Sequence, residues 1–242
     1  MKIKLNAQTI QIDGSQGEGG GQILRTALAL SMLTGIPFEL TNIRAGRKKP
    51  GLMRQHLVCV QASQRISNAT VEGAELHSQK LYFQPQHIQA GHYDFQIGSA
   101  GSTILVLQTL LPALMMQEQA SQIIFHGGTH NPMAPTADFI EHCFLPTIQR
   151  LGIQIDFKCE RAGFFPIGAG QINATIHPWT TQLQYTALDT GQLVDINGFA
   201  AALNIPSDIA DRELEVLHNK LELNNRKALN FKGISQGNTA FV

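Results

Sequence analysis

Residues 92–116 read HYDFQIGSAGSTILVLQTLLPALMM. Alternating polar and apolar residues at 92–97 predict a strand, GSAGS at 98–102 a glycine-rich turn, and the unbroken apolar run 103–116 a helix. The same three pieces stand about 80 residues earlier, as an alternating stretch at 3–12, the loop DGSQGEGGGQ at 13–22 and an apolar helix over 21–34. Each set continues alike. A strand follows at 38–43 or 122–125, and then a helix at 52–66 or 136–151, the second of which Pro146 must kink or split. Pairs of strands close the units at 69–76 and 80–84, and at 153–157 and 171–177. Two β-α-β-α-β-β units, about 1–90 and 91–178, make an α/β fold of α+β type, with parallel strands joined by helical crossovers.

The first loop packs five glycines between Gly14 and Gly21, which lets backbone N–H groups approach an anion beside a helix N-terminus. Neither familiar phosphate-binding pattern fits it. A dinucleotide fingerprint begun at Gly17 meets Gln22 where its third glycine belongs, and a Walker loop needs a lysine where none occurs between Leu5 and Arg44.

With 18 basic and 18 acidic residues the formal net charge is zero, so an anionic partner must be met by a local patch. Arg44, Arg47, Lys48, Lys49, Arg54 and Arg65 form one, with no carboxylate between Glu39 and Glu72. Read by itself, it is equally a solvated basic face. Cys59, Cys143 and Cys159 are too scattered for a disulfide framework, and the first two fall in apolar helical patterns that predict buried thiols. No apolar run approaches a membrane span. A reducing, cytoplasmic setting is expected.

After Trp179 the pattern changes. Short strands are expected across 182–203 and a helix over 207–221, with Ser207 as N-cap and Ala210, Leu214, Leu217 and Leu221 on one side. GNTAFV at 237–242 reads as a strand without a paired continuation.

Five blocks then stand in order: GSQGEGGGQILRTALALS (14–31), IRAGRKKPGLMRQHL (43–57), ATVEGAEL (69–76), IGSAGSTILVLQTLLPAL (97–114) and GGTHNPMAPTADF (127–139). Together they resemble the RNA 3'-terminal phosphate cyclases, with specific motifs from about Ile12 to Ile172 and a weaker likeness from there to Val242. The resemblance implies repeated units similar to the C-terminal domain of translation initiation factor three, with the start of a small inserted α/β domain at 179–242. It also implies a reaction. ATP adenylylates a histidine, AMP passes to the 3'-terminal phosphate of an RNA, and the neighbouring 2'-hydroxyl displaces AMP to leave a 2',3'-cyclic phosphate. The adenylyl group turns a phosphate oxygen into a good leaving group.

By the same resemblance Glu18 would hold ATP or a divalent metal, magnesium by preference, whose chemistry suits one carboxylate plus phosphate oxygens. Arg25, Gln108 and Pro132 would bind ATP. Gln108 interrupts an apolar run, which predicts a buried amide in need of partners, and Pro132 would pack near the adenine. Arg44, Arg47, Arg54 and His56 would bind phosphate or RNA, guanidinium forks suiting bidentate contact. Taken alone, Glu18 reads rather as a solvated loop carboxylate, Arg25 as a snorkelling side chain and His56 as an ordinary interior or surface histidine. Arg44, Arg47, Glu18 and Gln108 are expected to share one cleft.

Departures from the family pattern are Ala162 for a basic residue, Ala169 for a glycine, His130 for an aspartate and Thr136 for a proline. The family's nucleophilic histidine lies in a last repeat after the inserted domain, whereas the nine histidines here end at His218. The chain is therefore expected to be a C-terminally truncated member, its nucleophile beyond Val242 or on a separate C-terminal polypeptide. A non-catalytic, cyclase-like RNA-binding or ribosome-assembly factor is the alternative.

Overall fold

The computed structural model describes residues 8–17, 19–98 and 100–242. Its first unit runs β1 (Ile10–Asp13), α1 (Gly21–Thr34), β2 (Phe38–Thr41), α2 (Arg54–Ser67), β3 (Thr70–Glu72) and β4 (Leu81–Gln84). The second runs β5 (His92–Gln96), α3 (Thr103–Leu114), β6 (Ser121–Gly127), a broken helix at 137–149, β7 (Ile155–Arg161) and β8 (Gly170–Ile176). The two sheets have the same order, β1-β2-β4-β3 and β5-β6-β8-β7. Each has one parallel pair, β1 with β2 and β5 with β6, and antiparallel neighbours thereafter. The repeat read from the sequence is thus a repeat of topology. Strict alternation along β8, buried at every second residue, turns one sheet face to the core and leaves the other half-buried.

Helices α1, α2 and α3 pack on one another. One apolar cluster runs through both units, from Leu24 and Leu28 of α1, through Phe38, Phe83 and Cys59, to Leu110 of α3 and Phe125 of β6. α1 ends where Gly35 takes φ 73°, its N–H donating to the Ser31 carbonyl, a left-handed cap that glycine adopts without a Cβ penalty.

Pro146 splits its helix as expected, but the disturbance lies ahead of it. Short α4 (Ala137–Phe139) passes into a π-turn at Ile140–Phe144 before α5 (Leu145–Gln149), and the Leu145 N–H donates five residues back to the Ile140 carbonyl. A proline ring crowds the carbonyl four residues before it and supplies no N–H, and a wider turn relieves both. Cys143 lies on this turn and is exposed, which corrects the expectation of a buried thiol. Cys59 is buried as expected, and burial pushes its thiol up to about 11.

A third sheet, β10-β9-β11, is built from β9 (Asn197–Leu203), β10 (Asn225–Leu229) and β11 (Gly237–Phe241), with α6 (Asp208–Leu221) on it. Residues 180–196 form no strand, correcting the expected run of short ones: Leu188, Leu193 and Val194 are largely exposed and pair with nothing regular. β11 is paired, antiparallel to β9, from Gly237 opposite Leu203 to Phe241 opposite Phe199. The third sheet docks on the second unit through the Ala162 N–H to Lys232 carbonyl bond (2.7 Å) and the Phe164 N–H to Ser235 Oγ bond (2.9 Å). No described helix is long and apolar enough to cross a membrane.

Candidate anion-binding site

The two glycine turns have different fates. At α3 the helix start is fully served. Ser102 Oγ accepts the Leu105 N–H, and the Thr103 N–H and hydroxyl both donate to the Gly128 carbonyl. At α1, Gly20 is the N-cap, no described side chain caps the helix and its first turn carries no acid. The first-turn N–H groups of this 14-residue helix form a positive end without a side-chain acceptor among the described residues.

Three cationic or donor side chains come to that end, and the glycines are what admit them. A Cβ on Gly21 would lie 2.3 Å from His56 Nε2 and 2.9 Å from Arg25 Nη1, and one on Gly20 3.3 Å from Arg47 Nη2. Arg25 is on α1 itself, Arg47 in the loop after β2, and His56 in the first turn of α2. Arg25 is oriented by a bond from Nη2 to Gln22 Oε1 (2.9 Å), and Gln22 donates in turn to Thr26 Oγ1 (3.1 Å). Its Nε is buried with no hydrogen-bond partner among the described residues, and burial holds the guanidinium below its ordinary range. Arg44 sits in left-handed backbone (φ 54°) and donates from Nη1 to the Lys49 and Gly51 carbonyls (2.7 and 2.9 Å), shaping the basic loop from within. Burial, and after it Arg47, lowers its guanidinium.

His56 is most perturbed. Its Nδ1 accepts the Met53 N–H (3.1 Å), and burial first, then Arg44 and Arg25, push the imidazole down to about 4. The unfolded chain therefore takes up this proton before the folded one does. The stability tied to neutral His56 is whole above pH 6.5 and lost as pH falls toward 4, about 3 kcal/mol by linkage. Urea unfolding at pH 7 and pH 4 should show that loss in the parent and a smaller one in His56→Gln. Equal pH dependence in both would refute the assignment.

Of the residues expected in the site, Arg25, Arg44, Arg47 and His56 are brought together. Glu18 lies outside the described residues. Arg54 is exposed at the first position of α2. Gln108 is exposed, not buried. It is the one exposed residue of α3, whose others are buried or half-buried, which corrects the expectation of a buried amide. Pro132 is exposed at the edge of a different cavity of about 330 Å³, lined by His130, Phe164, Phe165 and Asn238. That cavity adjoins the second glycine turn, since Asn131 Nδ2 donates to the Ala100 carbonyl.

The sequence reading missed Gln22, whose i,i+3 spacing from Arg25 was the available signal, and a buried chain of bonds behind Pro132. There the Gly163 N–H donates to Thr129 Oγ1 (2.9 Å), Thr129 Oγ1 meets His130 Nδ1 (2.7 Å) and His130 Nε2 meets Asp138 Oδ2 (2.7 Å). Three of the four departures from the family pattern are accommodated by the surrounding fold, while Ala169 holds the left-handed backbone (φ 55°) that a glycine takes without a Cβ penalty. His130 has Asp138, Thr136 caps α4 by accepting the Phe139 N–H, and Ala162 is buried in the apolar contact with Leu203.

Chemically, the described side chains of the cluster are three guanidinium groups and a neutral imidazole beside a helix N-terminus. That set suits an anion with several oxygens and repels a bare cation. No group of three or more His, Cys, Asp or Glu among the described residues could hold a metal.

A family model described as RNA 3'-terminal phosphate cyclase matches residues 16–228. RNA 3'-terminal phosphate cyclase of Koribacter versatilis (strain Ellin345) is 51% identical over 214 residues, 88% of this chain and 60% of the relative. That of Ralstonia nicotianae (strain ATCC BAA-1114 / GMI1000) is 50% identical over 212 residues, 87% and 61% respectively. The chain thus spans about three fifths of the length of these relatives. A solved EPSP synthase from Acinetobacter baumannii superposes with a TM-score of 0.41 at 12% identity, over 74% of this chain and 32% of that one.

Proposed function

Since the chain belongs to the RNA 3'-terminal phosphate cyclase family, we propose that it takes part in ATP-dependent conversion of an RNA 3'-terminal phosphate to a 2',3'-cyclic phosphodiester, and that the cluster at the start of α1 grips phosphate. The observation that carries this reading is the meeting of Arg25, Arg47 and His56 at a helix N-terminus with no side-chain cap among the described residues. In the proposed reaction a histidine nitrogen takes AMP from ATP and releases pyrophosphate. A terminal phosphate oxygen then takes AMP from the histidine, and the 2'-hydroxyl attacks that phosphorus, losing its proton and expelling AMP. What this part of the protein contributes is binding and charge. Arg25, Arg44 and Arg47 hold phosphate oxygens in line and neutralise charge that would otherwise repel the nucleophile.

The nucleophile is proposed to come from outside these 242 residues. His130 is buried between Phe164 and Phe231 with both ring nitrogens engaged, and His56 has its one free electron pair on Nδ1, which faces Met53. Neither is poised to attack. Glu18 remains the proposed carboxylate for a divalent metal, and Gln108 and Pro132 the proposed nucleotide contacts. The same proposal includes the cytoplasmic setting, the likeness of each unit to the C-terminal domain of translation initiation factor three, and a core at 1–178 followed by the inserted domain at 179–242.

The test is labelling. The chain incubated with α-labelled ATP and magnesium should retain no acid-labile label, while a separately made C-terminal segment of a relative should restore both labelling and cyclisation of an RNA 3'-phosphate. A histidyl-adenylate mapped to any residue within 1–242 would overturn the assignment of the nucleophile. Failure of the chain to bind ATP or RNA 3'-phosphate at all would favour the non-catalytic alternative.

A further inference from the structure

Resting on the phosphate-binding reading, we infer that the backbone N–H of Met53 fixes His56 as the Nε2-protonated neutral tautomer, so that His56 serves as an aimed hydrogen-bond donor to a phosphate oxygen beside Gly21, not as a base, a nucleophile or a cation.

The geometry permits one assignment of the ring proton. An N–H donating to Nδ1 requires the lone pair there, so a neutral imidazole must carry its hydrogen on Nε2. The bond is local, from the N-cap residue to the third residue of α2, and persists as long as that helix start does. Nε2 is the ring atom nearest Gly21, at 2.3 Å from where a Cβ would stand, and Arg25 Nη1 flanks the same point at 2.9 Å. The Nε2–H, the Arg25 fork and the N-terminal end of α1 therefore converge on one place. The groups facing the ring from neighbouring elements are Arg25 of α1 and Arg44 of the basic loop, both cationic, and they oppose a second proton on it. A neutral donor adds a directional bond there without adding to the cationic repulsion that an empty site already bears.

The tautomer and the donor role are tested separately. In the full chain labelled with ¹⁵N-histidine, long-range proton–nitrogen spectra at pH 7 should show for His56 a protonated Nε2 and a pyridine-type Nδ1. The reverse pattern, or two protonated nitrogens, would overturn the inference whatever the ligand. Tripolyphosphate binding by calorimetry at pH 7 reads the donor. His56→Phe keeps a ring without a donor and should bind about 10- to 100-fold more weakly, the range for a hydrogen bond to a charged group. His56→Gln, whose amide reaches nearly as far as Nε2, should recover most of that loss and sit about threefold below the parent. Equal losses in Gln and Phe would overturn the donor role. A parent that binds no tripolyphosphate would instead remove the phosphate-binding reading, with the spectra still deciding the tautomer.

Discussion

Replacing Arg25 by methionine should cost about 100-fold or more in tripolyphosphate affinity while leaving thermal stability equal or higher. The two halves of this result have one cause. Arg25 spends Nη2 on Gln22, but its buried Nε has no partner among the described residues, and Nη1 points at the α1 terminus. Two charge-assisted bonds held in reserve for an anion, at about 1.5–3 kcal/mol each, amount to at least a hundredfold in binding. In the free protein the same atoms are desolvated and the cation stands near His56, so an unbranched apolar chain of similar length relieves the cost of burying it. Calorimetric titration beside a thermal melt reads both. A methionine variant that binds normally, or that melts well below the parent, would show that Arg25 is a structural residue.

Gly163→Ala should unfold the chain or weaken it by about 3 kcal/mol or more. Its Cβ would lie 2.4 Å from the Gly170 nitrogen, 2.6 Å from the Gly127 oxygen and 2.7 Å from the Gly168 oxygen, backbone on every side with no flexible side chain to yield. The Gly163 carbonyl also accepts from both Thr129 and His130, and its N–H serves Thr129 Oγ1. A displaced Gly163 therefore strips a buried network of three bonds, which places the substitution among the severe overpacking cases. Urea unfolding checks this, and a loss under about 1 kcal/mol would show that the loop can move aside.

Much of the fold was legible because the apolar spacing changes between helical and strand periods at each boundary. The bounds of α1 at Gly21–Thr34 coincide with the helix read from periodicity, and the repeat of β-α-β-α-β-β order reappears as identical strand order in two sheets. What escaped had no local signature. β10 reads NRKAL, four of its five residues exposed, and is a strand only because β9 offers its edge. Gln108 was misjudged for the opposite reason. In a helix buried on nearly every side, apolar neighbours surround even the exposed position, and only its half-buried neighbours on the same side, Leu105 and Pro112, set it apart from the core.

The site was half legible. Its residue types pointed to phosphate, and the family blocks named Arg25, Arg44, Arg47 and His56. Their meeting at Gly20 and Gly21 was not legible, because His56 is 35 residues from Gly21 in sequence and the distance between them is set by how α2 packs on α1.

The bare start of α1 also bears on how the protein must be handled. A helix end with no side-chain cap among the described residues would be completed by an oxyanion from solution, so buffer composition would become a thermodynamic partner of the fold. At a phosphate concentration a hundred times its dissociation constant, occupancy would add about 2.7 kcal/mol. Preparations in phosphate or sulfate would look sturdier than those in a zwitterionic buffer, and would compete silently with any nucleotide or RNA end offered to them. Affinities measured in the two media would differ although the polypeptide is the same.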